Sequence, residues 1–367
     1  MITTLIEKFK KVKDFRSSQG KRHHLHIVLT IIMLSMLCGY VTYKEIDQFI
    51  KENEQKLITC LKIVKKKLPS YSTIRRVIIG IKKEEINILF HSFVSEIYGH
   101  QEELDWIPID GKTLKNTINN YGHKKQNNLT MVSFFSEKTR LIINSDSFEG
   151  KKGSEIHKVQ AMIKECSLIN KVFTLDALHC NKITTKEIIA SKNDYLITVK
   201  RNQIKLFEKL ESLSKKEKPL SIYSSIDNSH GRKIKRKILV FDGGLIKHRN
   251  YPHIKSFIKV IRSGKRGKKP YQETIYYISS LELLAETFAV KIKNHWLIEN
   301  QVHWVKDVIF GEDKLKIKDY KTAHNWSILI SIIMNIQRVL GFLSIKKGIY
   351  WWRKNWTRIF ILDDVFP

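Results

Sequence analysis

The chain has 367 residues, 42% hydrophobic and 28% charged, the length and balance of a soluble globular protein with two or three folding units. Its 66 Lys+Arg against 36 Asp+Glu leave a net charge of +30, an excess that points to a polyanionic partner, because each phosphate neutralised releases condensed counterions. Four scattered cysteines (Cys38, Cys60, Cys166, Cys180) without a CxxC pair argue against a disulfide framework or a zinc knuckle and fit a reducing cytoplasm.

Residues 1–100 read as a mostly helical N-terminal region. The most apolar run, IVLTIIMLSMLCGY from Ile27 to Tyr40, is too short to span a bilayer comfortably and follows a polar segment, unlike a secretory signal. It is expected to be a buried helix, with no membrane partner. YKEIDQFIKENEQKL continues with helical apolar spacing. In LPSYSTIRRVIIGI, Pro69, Ser70 and Ser72 offer a helix start ahead of Ile74, Val77 and Ile78. Arg75 and Arg76 would project from its first turns as candidate DNA contacts, a pattern equally compatible with a solvated basic face.

From Glu103 the texture changes to short β-like runs, the first part of a core placed at 101–202. LDWIPID (104–110) predicts a strand ending in Asp110, and NLTMVSFFS (128–136) with TRLIINSDSF (139–148) predicts a hairpin joined at Glu137-Lys138. A helix is expected over about 154–166, then KVFTLDA (171–177) as a buried strand ending in Asp176. Another helix begins near Thr184, and DYLITVK (194–200) makes a fifth strand. The order β-β-β-α-β-α-β predicts an α/β layer, a mixed sheet flanked by helices. The stretch 203–285 breaks that rhythm with RKIKRKILVFD, IKSFIKVIRSGKRGKK and ETIYYISSL, and is expected to be a β-rich insertion with a basic tip at Lys265-Arg266-Gly267-Lys268-Lys269. The second part of the core is placed at 286–367, with C-terminal helices after residue 320 and a tryptophan-rich tail.

KNHWLIENQVHWVKDVIF (293–310) sets one carboxylate, Glu299, among two tryptophans, two histidines and two lysines. At about 100° per residue, Ile298, Val302, Val305 and Ile309 form one apolar helical stripe, and Glu299 falls at its margin with His295, His303 and Lys306 close by. Strands of an α/β sheet deliver side chains to the crevice at their carboxyl ends. In the ribonuclease H-like arrangement of this strand order the first and fourth strands adjoin, so Asp110 and Asp176 would meet and Glu299 could complete a triad. A single aspartate at a strand end is also an ordinary turn residue or helix cap. The joint occurrence of all three carboxylates in this order of elements is what points to a site. Three carboxylates within a few ångströms repel unless cations neutralise them, and hard oxygen ligands suit Mg²⁺ or Mn²⁺. Two such ions about 3.5–4 Å apart can activate a nucleophile on one side of a phosphodiester and stabilise the leaving oxygen on the other. The separation 176 − 110 = 66 holds two strands, a helix and a return strand, whereas 299 − 176 = 123 has room for the insertion as well.

The chain resembles DDE transposases of bacterial insertion sequences, specifically the ISAs-type group that includes the H-repeat-associated proteins. The matching stretches are DFRSSQGKRHHLHIVLTIIMLSMLCGYVTYKEIDQF, IPIDGKTLKNT, KGSEIHKV, FTLDALHCNK, DYLITVKRNQ, HGRKIKRK, YYISSL and NHWLIENQVHWVKDVIFGEDKLKIK, in order over nearly the whole chain. The resemblance implies a ribonuclease H-like core with a β insertion, and Asp110, Asp176 and Glu299 as catalytic ligands of Mg²⁺ or Mn²⁺, two ions in all. It implies double-stranded DNA as partner, both element terminal inverted repeats and target, handled by a homodimer. Lys306, at 306 − 299 = 7 residues past Glu299, matches a lysine taken to touch the DNA end, and His295 stands where a wider signature has arginine. Lys293, Lys112 and Lys200 complete the expected DNA contacts, and Trp296 or Trp304 could stack on an unpaired base. Lys293-Asn294 stands where Arg-Gly or a similar pair is common, and Arg201 replaces the usual glycine. Two other classes fit the same residues: a nuclease on this fold that cuts without joining strands, and a catalytically silent DNA-binding relative.

Overall fold

The computed structural model describes residues 2–64, 66–99, 103–118, 127–150, 153–228, 233–246, 251, 253–266 and 269–360. Gly267 and Lys268 of the expected basic tip lie outside the described residues, as does His230 at the start of HGRKIKRK. Six helices come first: α1 (Ile2–Lys11), α2 (Leu25–Leu37), α3 (Tyr43–Glu52), α4 (Glu54–Cys60), α5 (Tyr71–Gly80) and α6 (Lys83–Tyr98). Local chemistry sets their ends. Thr42 caps α3 by accepting from the Glu45 N–H while the Glu45 carboxylate accepts from the Thr42 N–H, a closed capping box. The apolar run becomes α2, with eleven of its thirteen residues buried. Among the described residues no helix is long and apolar enough to cross a membrane.

The strands are β1 (Asp105–Leu114), β2 (Leu129–Phe135), β3 (Ile142–Glu149), β4 (Lys171–Leu175), β5 (Asp194–Val199), β6 (Ser221–Asp227), β7 (Ile234–Asp242), β8 (Ser256–Arg266) and β9 (Lys269–Ser279). They join in one nine-stranded sheet, in the order β3-β2-β1-β4-β5-β9-β8-β7-β6. The β3-β2-β1 meander is antiparallel and β1-β4-β5 is parallel, the ribonuclease H-like arrangement. β9 pairs antiparallel with β5, so the four strands of the inserted stretch extend the core sheet at its edge.

Alternation along the strands gives each face its own core. Trp106, Val172, Leu196, Ile258 and Tyr277 pack under Ala285, Phe288 and Ile292 of α10 (Ala285–Asn294). Their neighbours Ile107, Phe173, Tyr195 and Ile197 belong to the other cluster, with apolar residues of α7 (Glu155–Glu165), α8 (Lys182–Ala190) and α9 (Ile204–Lys216). A period of two makes this division automatic. The same large core takes in the N-terminal helices, α11 (Tyr320–Val339) and α12 (Ile345–Asn355). α11 supplies buried polar clamps: Asn335 pairs with both the N–H and the C=O of Ile142 at the start of β3.

Three features differ from the sequence reading. β1 does not end at Asp110 but runs on to Leu114, because β2 continues to pair with it from Asp110–Ser133 to Leu114–Leu129. Inside the stretch read as strand-rich lies α9, whose Leu206, Leu210 and Leu213 recur at helical spacing and are buried, and the serine-rich edge strand β6 lacks an apolar run that would mark it. The segment 293–310 is not one α-helix. α10 stops at Asn294, a turn follows, and Glu299–His303 and Val305–Ile309 are π-helical. The Arg338 guanidinium donates to the carbonyl of Gln301, competing for a ladder acceptor in the middle of that segment. Inserted side chains of this kind widen helical turns.

Candidate active site

Parity along two adjacent strands brings the aspartates to one place. The last parallel pair of β1 and β4 is Pro108 with Thr174. Two residues further along each strand stand Asp110 and Asp176, both on the α10 face because they share the parity of buried Trp106 and Val172. The chain leaving α10 crosses that same end of the sheet. Ile298, Val302 and Val305 are buried, so the apolar stripe docks despite the π winding and leaves Glu299 outside it. Asp110, Asp176, Glu299, His295, Lys200 and Arg262 line one cleft, with Thr174 in its wall and Trp296 beside it.

The carboxylates are not equivalent. Burial alone would raise the proton affinity of Asp110, but a hydrogen bond and charge from His303, the charge of His295 and the Gly111 N–H outweigh it and hold the carboxyl below its ordinary value. His303 Nε2 lies 3.2 Å from Asp110 Oδ2. Burial raises Glu299, and the neighbouring Asp110 carboxylate, hydrogen-bonded to it, adds to the rise against the pull of His303. This is the behaviour of two like charges sharing a site, one readily ionised and the other not. Asp176 accepts from the Leu178 N–H, which fixes the turn that aims it. Burial lowers the proton affinity of His295, with both aspartates pulling the other way, and its Nδ1 lies 2.8 Å from Thr174 Oγ1. Gly111 leaves room for the Glu155 carboxylate: a Cβ there would lie 2.3 Å from Glu155 Oε2 and would push aside the side chain that pairs with buried His179 at 3.1 Å.

Divalent cations would fit this donor set in kind, since the carboxylates offer hard oxygens and the Asp110–Glu299 repulsion is of the kind a cation relieves. Among the described residues, no three acidic, histidine or cysteine side chains are drawn together into a ready-made cage.

The expected DNA contacts divide. Lys200 is exposed at the cleft. Lys293 is exposed in an adjoining groove, 3.4 Å from Asp227. Arg75 and Arg76 sit on the solvent side of α5. Lys112 instead lies among Asp307, Glu312 and Asp313, 2.8 Å from Glu312 and 3.5 Å from Asp313. Lys306 is 1% exposed, and its ammonium donates to Ser327 Oγ at 2.9 Å. Burial lowers the Lys306 pKa to about 8 in spite of buried Glu312 beside it. Two residues that shape the site stand outside the sequence-derived set, Arg262 in the cleft and His303 buried behind Asp110. In the sequence His303 is only a neighbour of Glu299 on the helical projection. Arg262 sits on β8 opposite Glu273, one basic residue in a run of them, with no local signal to single it out.

Residues 101–336 match the family described as Transposase DDE domain, and residues 6–94 match its companion, DDE_Tnp_1-associated. The chain is 29% identical over 345 residues to "Putative protein YbfL" of Escherichia coli (strain K12), covering 90% of this chain and 89% of that one. It is 28% identical over the same length to "H repeat-associated putative transposase YhhI" of that strain, with the same coverage. It is also 27% identical over 380 residues to "Putative transposase YncI" of Escherichia coli O157:H7, covering 96% and 92%.

Proposed function

The chain belongs to the DDE transposase family, and from that premise we propose that it cleaves DNA at the ends of an insertion sequence and transfers the freed strands into target DNA. The observation that carries this reading is a single cleft in which carboxylates from β1, the turn after β4 and the segment after α10 face basic side chains. Mg²⁺ or Mn²⁺, in two sites held by Asp110, Asp176 and Glu299, would supply Lewis-acid stabilisation of the charge that develops on the phosphate and its leaving oxygen.

The protein's own groups have distinct tasks. Lys200 and Arg262 offer donors to the non-bridging oxygens of a phosphodiester laid along the cleft. His303 holds Asp110 as an ionised carboxylate ready to ligate. His295, its proton affinity lowered by burial, is anchored by Thr174 where an uncharged hydrogen-bonding group would orient the strand. Trp296, 55% exposed, presents a π face at the cleft mouth. Water is the first nucleophile and the freed 3′-hydroxyl the second, each displacing an alkoxide in line at phosphorus. Two element ends have to be paired, which calls for a homodimer on DNA, working where chromosomal DNA is, in the cytoplasm.

A strand-transfer assay with a pre-cut element end tests this. Joined product that forms with Mg²⁺ and disappears with EDTA is expected. Cleavage without any joining would identify a nuclease on this fold, and neither activity would identify a silent DNA-binding relative.

A further inference from the structure

The segment that carries Glu299 has a second side, and the chemistry above does not use it. There, Gln301 and Trp304 face Arg140 at the end of the β2–β3 turn and Arg338 and Lys346 around the α11–α12 junction, forming an open groove. Arg338 is locked in place: it donates to the Gln301 carbonyl, and its guanidinium lies 5.3 Å over the Phe135 ring. Its Nη1 is nevertheless shut off from water and has no hydrogen-bond partner among the described residues. A largely buried guanidinium charge with no counter-ion is costly, and an anion seated in the groove beside it would offset that charge. Arg140 adds a second positive charge close enough to lower the proton affinity of Arg338 beyond the effect of burial. Neither arginine has an ion-pair partner among the described residues. Arg140 also holds a left-handed backbone, φ 63°, which is uncommon for a non-glycine residue. Trp304, 52% exposed, stands beside the charges with its ring available.

We propose that this groove seats a single DNA strand, with one phosphodiester held between Arg140 and Arg338 and an adjacent base stacked on Trp304. Cationic grooves interleaved with aromatic faces bind single strands, because every base has a π face and every nucleotide one charge. The choice of DNA rests on the transposase reading. The seat deepens that reading by stacking the strand on Trp304, 304 − 299 = 5 residues past Glu299, so the unpaired strand runs past the reacting phosphate and across the back of the same segment.

The test is fluorescence anisotropy of the full chain with a labelled single-stranded oligonucleotide of about 12 nucleotides, in EDTA so that no chemistry occurs. Trp304→Ala should weaken binding about 5- to 150-fold, with Trp304→Phe recovering most of it. Arg140→Gly should weaken binding and reduce the slope of log K against log salt by about 0.7, one phosphate contact on a single strand. The same variant should melt at a higher temperature, since glycine adopts the left-handed backbone freely. Binding by Trp304→Ala and Arg140→Gly equal to the unaltered chain would overturn the seat, as would preference for free inorganic phosphate over the oligonucleotide at equal ionic strength. Because the assay needs no cleavage, unchanged binding with strand transfer intact removes the seat alone. Binding as described with no strand transfer removes the transposase reading and leaves the seat.

Discussion

Lys306 shows how a side chain at the edge of a functional segment can be spoken for from inside. In the sequence it stands near the margin of an apolar stripe, and the family resemblance implies a contact with the DNA end. In the structure its ammonium sits between Ser327 and buried Glu312. Glu312 keeps Lys112 as its ion-pair partner, so Lys306→Met chiefly orphans the buried Ser327 acceptors and is expected to lower stability by about 1–3 kcal/mol in denaturant unfolding. A lysine serving DNA would instead lose affinity while stability stayed unchanged. Asp110, Asp176 and Glu299 could be read as neighbours from strand parity and the order of elements, although Asp110 lies inside β1 and Glu299 on a π turn, positions that periodicity does not mark. Arg262 and Lys112 could not be read so, since a basic residue among many basic residues carries no signal until register assigns its neighbours. Register put Glu273 opposite Arg262, and folding put three carboxylates around Lys112.

At the scale of elements, the strand order of the core could be read directly, because alternation and turn residues are local. The π winding of the Glu299 segment could not. An α and a π turn both bury Ile298, Val302 and Val305, and the group that tips the balance, Arg338, comes from another helix. α9 was missed for a different reason: a basic amphipathic helix set among β-rich runs takes on the character of its surroundings. α11 combines burial with polar clamps, and its His324 gives a pH signature. Burial, with Lys83 and Lys158 nearby, lowers its pKa to about 3, although Asp146 pulls upward. The folded protein therefore keeps His324 neutral where the unfolded chain, titrating near pH 6.5, takes up a proton. Stability from this group is complete above that value and falls as pH drops, by at most about 1.4 kcal/mol per pH unit. Asp146, held low mainly by Lys158 and Lys83 against burial, joins only below about pH 4. Between about pH 6.5 and about pH 4.5, acid-induced loss of stability should be shallower in His324→Gln, with His295 and His91, also lowered by burial, supplying the remainder. An equal loss in that variant would show that other groups drive it.

The whole molecule is one continuous sheet carrying a net charge of +30, with helices on both faces and the N-terminal helices sharing the main core. Composition pointed to a polyanion before any element was assigned, and the structure keeps exposed cations at the cleft (Lys200), in the adjoining groove (Lys293) and on α5 (Arg75, Arg76). If a DNA segment touches these four and at least two more of the molecule's cations, affinity should fall about 10³-fold or more between 50 and 200 mM salt. A slope near zero would mean that the charge serves something other than a phosphate backbone. That the inserted strands prolong the core sheet was not legible, since pairing of β9 with β5 joins residues about eighty apart in the chain.

The most direct measurement of the central claim is cleavage of a labelled element-end duplex with Mg²⁺ by the Asp110→Asn, Asp176→Asn and Glu299→Gln variants, alongside duplex binding in EDTA. Each variant is expected to lose cleavage by about 10³-fold or more while binding DNA as the unaltered chain does. Cleavage retained by any one of the three would contradict it.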